Sequence, residues 1–325
     1  MASAAPEPRR GGPVTALRDA PGRVGNVVFS GISTGAGIVI LAVLTAVASF
    51  LLYRSWPALT AAREDFASVG FMRGQGLAEY IAPLLFGTLL SSALALLIAV
   101  PLSIGIALFI SHYAPRRAAQ GLGYLIDLLA AIPSVVYGMW GMAWLVPQLN
   151  PFFAWLSGNL GMIPLFAGFQ APARNIMTVG VVLAVMILPI ITATTREVFL
   201  QTPRLHEEAS LALGATRWEM IRQAVFPFGR SGIIAGSMIG LGRALGETMA
   251  VLMILSPGFA INAFLLQPGQ HQSIAANIAA QFPEAYGLGA DVLIATGLAL
   301  FAVTLVVNFL ARWVISRRAE FSGAN

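Results

Sequence analysis

Arg243 and Glu247 stand four residues apart in a stretch, Gly232 to Val251, that carries no other charge. A guanidinium presents a planar fork of N–H donors that fits a tetrahedral oxyanion with two hydrogen bonds. On an unbroken helix a spacing of four puts the carboxylate on the same face, where it can hold that fork when no anion is present. The chemistry this pair suits is transient anion binding. The plainer reading is a structural ion pair, but burying such a pair is a poor way to gain stability. A second group of polar residues surrounds Pro133, which lacks a backbone donor and kinks a helix, so that Ser134 and Tyr137 place hydroxyls near the opening, as structure or as a pathway lining. Thr88, Ser91 and Ser92 can also line a polar path, although hydroxyls bonded back to their own helix are commoner.

Other chemistries are excluded by composition. All 19 basic residues are arginine. Without lysine the chain has no Walker A phosphate loop and no Schiff-base nucleophile. With no cysteine it has no disulfide, thiol nucleophile or thiolate metal site, and His112, His206 and His271 are too scattered to suggest a metal.

The elements that must position these groups are membrane spans. The chain is 57% hydrophobic and 10% charged, where soluble domains carry about 25% charge. Six apolar runs are long enough to cross a hydrocarbon core: Val27 to Tyr53, Ile81 to Ile110, Leu122 to Val146 with a break at Pro133, Ile176 to Thr195, Ser231 to Leu255, and Val292 to Trp313. Pro151 to Phe169, interrupted by prolines and glycines, reads as an interfacial or re-entrant segment. Positive charge marks the cytoplasmic side of a membrane. With both termini inside, 14 of the 19 arginines fall on that side, four outside, and Arg243 lies within a span. This gives an all-α membrane protein in which residues 1–26 form a disordered basic cytoplasmic tail, 27–313 a six-helix transmembrane domain and 314–325 a cytoplasmic tail. A secretory signal cleaved at Ala46-Val47-Ala48 is the alternative for the first run. Gly232, Gly236 and Gly240 are spaced by four, as are Gly242 and Gly246, and such stripes read as packing seams between spans.

The loop between the fourth and fifth spans, about 197–228, is long and charged. Pro203 can open a helix over Arg204 to Leu213, with Gly214 as its stop. Thr216 and Glu219 form a capping box for a second short helix ending at Phe226-Pro227. A solvated connector is the plain alternative.

Two segments carry a resemblance. Glu208-Ala209-Ser210, Gly214 and Ala224-Val225-Phe226-Pro227 resemble the EAA signature of the membrane subunits of ABC importers, with small departures at Ser210, Ala224 and Phe226. The run from Gly240 to Val251 resembles the fifth-span signature of the PstC-type permeases of phosphate-specific importers. Ala131 to Gly138, and Pro101 to Ala107 with Tyr113-Ala114-Pro115, agree with it.

The resemblance implies a type I ABC importer permease, multi-pass in the bacterial plasma membrane and surrounded by lipid. Its partners would be a companion permease subunit (PstA), two copies of an ATP-binding subunit and an extracytoplasmic phosphate-binding protein, with no nucleic acid. ATP and Mg would belong to the ATPase, leaving no cofactor and no catalysis in this chain. Glu208, Ala209, Gly214 and Pro227 would couple to the ATPase, and Arg243, Glu247, Ser134 and Tyr137 would face the substrate pathway. A permease for sulfate or molybdate, or an ATP-independent transporter, is the rival expectation.

Overall fold

A computed structural model describes the backbone over residues 22–319 and side chains over 25–313. Most of both expected tails, residues 1–21 and 320–325, lies outside the described residues. The chain forms two compact units, 1–53 and 54–325. In the first, the described residues belong to helix α1 (Gly22–Thr60), which carries no charge from Val27 to Tyr53.

Every regular element of the second unit is helical among the described residues. The long helices are α2 (Leu77–Leu108), α6 (Ile176–Leu200), α9 (Phe226–Leu245) and α12 (Leu288–Ala319). Between them stand α3 (Arg116–Ala130), α4 (Ser134–Trp140), α5 (Val146–Leu160), α7 (Arg204–Ala212), α8 (Arg217–Met220), α10 (Met249–Ile254) and α11 (Ile274–Gln281). Three π-helical turns, Phe109–Tyr113, Gly141–Leu145 and Ile221–Val225, continue α2, join α4 to α5 and join α8 to α9. Among the described residues, five helices are long and apolar enough to cross a membrane, and a sixth span is made if the bent pair Arg116–Ala130 and Ser134–Leu160 counts as one.

Four expectations are corrected. The break expected at Pro133 in the third span is present but is sharper than a kink: Arg116–Ala130 and Ser134–Leu160 meet at 92°. Ile132 precedes a proline, whose ring disfavours helical backbone there, and Pro133 itself is extended with ψ 140°. Beyond the bend the helix runs to Leu160, so the expected interfacial or re-entrant segment is not interrupted at Pro151 or Gly158, and only a short 3-10 turn at Pro164–Phe166 follows it. The fifth span does not reach Leu255 unbroken, because α9 ends at Leu245 and α10 begins at Met249. The second loop helix does not end at Phe226-Pro227 either. A proline in the first turn has no N–H to lose, and the wide turn at Ile221–Val225 leads straight into α9, giving one helix from Arg217 to Leu245.

The core lies around α6, whose buried side chains include Val182, Leu183, Met186, Ile187 and Ile191. Lipid tails are as apolar as leucine, so close packing must hold such helices together. The glycine stripe of α9 supplies it. A Cβ at Gly240 would sit 2.8 Å from Ile191 Cδ1, and one at Gly236 would sit 3.2 Å from Thr194 Cβ. At Gly229 and Gly232 it would overlap Phe199 and Val198. Gly242 instead has open space around it, so the second stripe is not a seam. The hydroxyls of Thr88, Ser91 and Ser92 bond back to carbonyls of α2, and Thr88 also accepts from the Ile274 N–H at 2.9 Å, so they serve structure.

A valine at Gly232 is expected to destabilise the bundle by about 1–3 kcal/mol through overpacking. Alanine at Gly242, with nothing to meet, is expected to be neutral. The thermal aggregation midpoint of the detergent-solubilised protein separates the two.

Candidate anion site and coupling loop

Arg243 sits in the last turn of α9, half-buried, and its guanidinium reaches the end of α3. Nη1 donates to the Ala130 carbonyl at 3.4 Å and Nη2 to the Ile132 carbonyl at 3.5 Å. The Tyr137 hydroxyl donates to the neighbouring Leu129 carbonyl at 2.9 Å. The last carbonyls of a helix have no partner within it and carry the negative end of its dipole. Here a cation reaches the Ala130 and Ile132 carbonyls, and a phenol adds a second bond at Leu129, whose carbonyl also accepts from the Ile132 N–H at 3.3 Å. The two arginine bonds are long for N–H···O contacts and correspondingly weak.

Glu247 is not part of this arrangement. No ion pair joins it to Arg243 among the described residues, whose ion pairs are Arg54–Asp291, Arg63–Glu79 and His112–Glu207. The spacing of four presumed a continuous helix, and the helix stops two residues before Glu247. The Glu247 carboxylate, 7% exposed, accepts from the Ala250 N–H at 3.1 Å and so caps the start of α10. Tyr137 and Glu247 are nevertheless drawn to one region, because Gly138 lets α4 lie against α10: a Cβ on it would stand 2.8 Å from the Ala250 Cα. Ser134 opens α4 and is half-buried beside the bend.

The residues of the loop between α6 and α9 are arranged largely as their spacing predicts. Pro203 precedes α7, and Gly214 ends it with φ 89°, a left-handed conformation that strains any residue with a Cβ. The Ala215 N–H bonds to the Ser210 carbonyl at 3.2 Å and the Gly214 N–H to the Leu211 carbonyl at 3.0 Å, the two bonds of a Schellman stop. Thr216 and Glu219 form the reciprocal capping box: the Thr216 N–H donates to Glu219 at 2.8 Å, and the Glu219 N–H donates to Thr216 Oγ1 at 3.3 Å. Glu208 and Ala209 lie on α7, and Pro227 stands in the first turn of α9.

One contact was missed by the sequence reading. His112 Nε2 lies 3.5 Å from Glu207 Oε1, and its Nδ1 is 2.7 Å from Ser111 Oγ, so the first turn of α7 touches the end of the α2 helix directly. Nothing in the spacing signals it, since 95 positions separate the partners.

The architecture is that of a polytopic helical permease with a structured helical loop. The profile described as binding-protein-dependent transport system inner membrane component matches residues 99–320. The chain belongs to that family. It is 45% identical over 300 residues to phosphate transport system permease protein PstC 2 of Mycobacterium tuberculosis, covering 90% of this chain and 92% of the relative. It is 38% identical over 306 residues to phosphate transport system permease protein PstC of Mesorhizobium japonicum, covering 92% of each. Among solved structures, a bacterial ABC transporter that imports the acidic polysaccharide alginate superposes with a TM-score of 0.55 at 16% identity, over 89% of this chain and 98% of that one, which shows the fold.

Because Glu247 caps a helix and does not neutralise Arg243, Glu247→Gln, which keeps an acceptor for the Ala250 N–H, is expected to leave the thermal midpoint within a few degrees. Glu247→Leu is expected to cost about 1 kcal/mol, the scale of a lost cap. A loss of about 3–5 kcal/mol for Glu247→Gln, the scale of a broken buried ion pair, would contradict the capping role.

Proposed function

We propose that this chain is the permease subunit of an ATP-driven importer of inorganic phosphate in a bacterial cytoplasmic membrane, with its arginine-rich loop facing the cytoplasm. The observation that carries the reading is the state of Arg243. A full positive charge inside a span costs about 3 kcal/mol on insertion scales, and here it has two long bonds to neutral carbonyls and no carboxylate partner among the described residues. Charge-assisted bonds from a guanidinium to an oxyanion are about twice as strong as neutral ones. An arriving phosphate therefore displaces the Ala130 and Ile132 carbonyls from the fork, and those carbonyls take the fork back when the anion leaves. Each exchange keeps the arginine satisfied, which lowers the barrier to release as well as to capture. Tyr137 holds the end of α3 at Leu129 throughout, and Ser134 adds a hydroxyl at the bend.

The names of the relatives support phosphate as the cargo. The family supports an ATPase on the cytoplasmic side and a binding protein on the other. In this reading Glu208, Ala209 and Gly214 on and after α7 dock into two copies of that ATPase. Pro227 marks where the loop enters α9, a PstA-like subunit completes the pathway, and ATP with Mg stays on the ATPase, so that the chain itself needs no cofactor.

In proteoliposomes holding the assembled importer, Arg243→Gln is expected to lower phosphate uptake at least tenfold while ATP hydrolysis stimulated by the binding protein persists, and Arg243→Lys to recover part of it. Unchanged uptake with Arg243→Gln would overturn the role of the arginine. Competition of labelled phosphate uptake by sulfate and molybdate decides between phosphate and other oxyanions.

A further inference from the structure

Among the described residues, the helical loop meets the rest of the bundle through one ion pair, His112 with Glu207, and the acceptors around it decide where its protons lie. Ser111 Oγ lies 2.7 Å from the Ala107 carbonyl, 3.4 Å from the Leu108 carbonyl and 2.7 Å from His112 Nδ1. Carbonyls can only accept, and a hydroxyl has one proton. If that proton went to the imidazole, the Ser111 and Ala107 oxygens would face each other at 2.7 Å with no hydrogen between them. The Ser111 hydroxyl therefore donates to Ala107 and accepts from His112, which places a proton on Nδ1.

Nε2 then sets the charge of the ring, and it lies 3.5 Å from Glu207 Oε1. In a neutral ring protonated on Nδ1, Nε2 turns a lone pair towards a carboxylate, which repels it. In the imidazolium, Nε2–H faces that carboxylate as a charged donor. Water screens the pair only in part, since the two side chains are 10% and 23% exposed. The elements packed around His112 offer no substitute for Glu207. Their other carboxylates are Glu197 near the end of α6, Glu208 on α7 and Glu219 on α8, and none is within ion-pair distance of the imidazole. Glu219 is taken up by the backbone and hydroxyl of Thr216. Tyr113 shares the turn of His112, and the remaining charges are cationic: Arg116 and Arg117 opening α3, Arg196 on α6, Arg204 and the titratable His206 on α7, and Arg217 and Arg222 leading into α9. Cations do not hold an imidazolium, so its contact to α7 depends on Glu207.

We infer, on the reading of this chain as an ATP-driven importer, that His112 is a positioning residue: as an imidazolium it latches α7 to the end of the α2 helix, and it lets go when Nε2 loses its proton. α8 is continuous with α9, so a stroke delivered to the loop reaches α9 without help. α7 has no such continuity, because residues 201–203 separate it from α6 and the left-handed Gly214 from α8. The latch joins it to α2, which is tied in turn to α6 where Ser103 donates to the Leu188 carbonyl at 3.1 Å. The stroke then moves α2 together with α9. The direction of the pH dependence follows from the protons. Histidine is the side chain whose charge ordinarily changes between about pH 5 and pH 8. The latch is closed at the acid end of that range on the side of the loop, and it opens as the pH there rises.

The test uses the complete importer in proteoliposomes, with the phosphate-loaded binding protein held at one pH on its side and the ATP side set between about pH 6 and about pH 8.5. Inorganic phosphate taken up per ATP hydrolysed is measured for wild type and for each variant. Dividing variant by wild type at each pH cancels the pH dependence of the ATPase itself. His112→Gln and Glu207→Gln abolish the charged contact, and both are expected to stand about threefold below wild type at the acid end and to reach parity at the alkaline end. His112→Arg keeps a cation opposite Glu207 at every pH, and it is expected to match wild type at the acid end and exceed it about threefold at the alkaline end. A ratio to wild type that is the same at every pH, whether one or less, overturns the inference, because a merely structural contact behaves that way. Loss of assembly in both His112→Gln and Glu207→Gln overturns it as well. Wild-type vesicles that take up phosphate without hydrolysing ATP would refute the importer reading, and the latch with it, before any variant is compared.

Discussion

An arginine side chain and a helix end each carry charge that a membrane does not tolerate, and in this molecule they meet. The C-terminal carbonyls of α3 point towards Arg243 and Tyr137, and the bend at Pro133 exposes those carbonyls to both. Remove the bend and α3 would satisfy its own carbonyls through the next turn, leaving the guanidinium without acceptors. Remove the arginine and the end of α3 would stand open inside the bundle. The rest of the second unit keeps this meeting point in place: α9 is pressed on α6 by its glycines, and α4 is pressed on α10 at Gly138.

Much of this was legible in the sequence because lipid leaves few options. Runs of apolar residues must be helices, so the existence of the spans followed from length and charge alone. The loop was legible for a different reason: Gly214 needs a left-handed backbone, and Thr216 and Glu219 can bond only in one way, so local chemistry fixed both helix ends. What failed was the assumption that a span is one straight helix. Gly246 and Glu247 end α9 where hydropathy shows no change, and a sharp bend at Pro133 looks the same in sequence as a gentle kink. The partnership between Arg243 and Glu247 fell with that assumption, while the placement of Arg243 within a span-length apolar helix survived it. Contacts between distant positions, such as His112 with Glu207, left no local trace.

The two helices of the loop are joined to the bundle in different ways. α7 is linked to the end of the α2 helix by the histidine contact and to α8 by the left-handed glycine, whereas α8 is continuous with α9. A displacement applied to the loop therefore reaches Arg243 through a single helical rod of 29 residues, with nothing soft enough to bend in between except one turn.

That turn is the π-helical one at Ile221–Val225. A wide turn holds one residue more than α-helical winding needs. Were it to tighten, everything beyond it would turn by about 100° and advance by about 1.5 Å relative to the loop. The rod is thus also a screw with one notch. Such a change in the winding of a few residues beside the loop would carry the guanidinium around the axis of α9 without any tilt of the span.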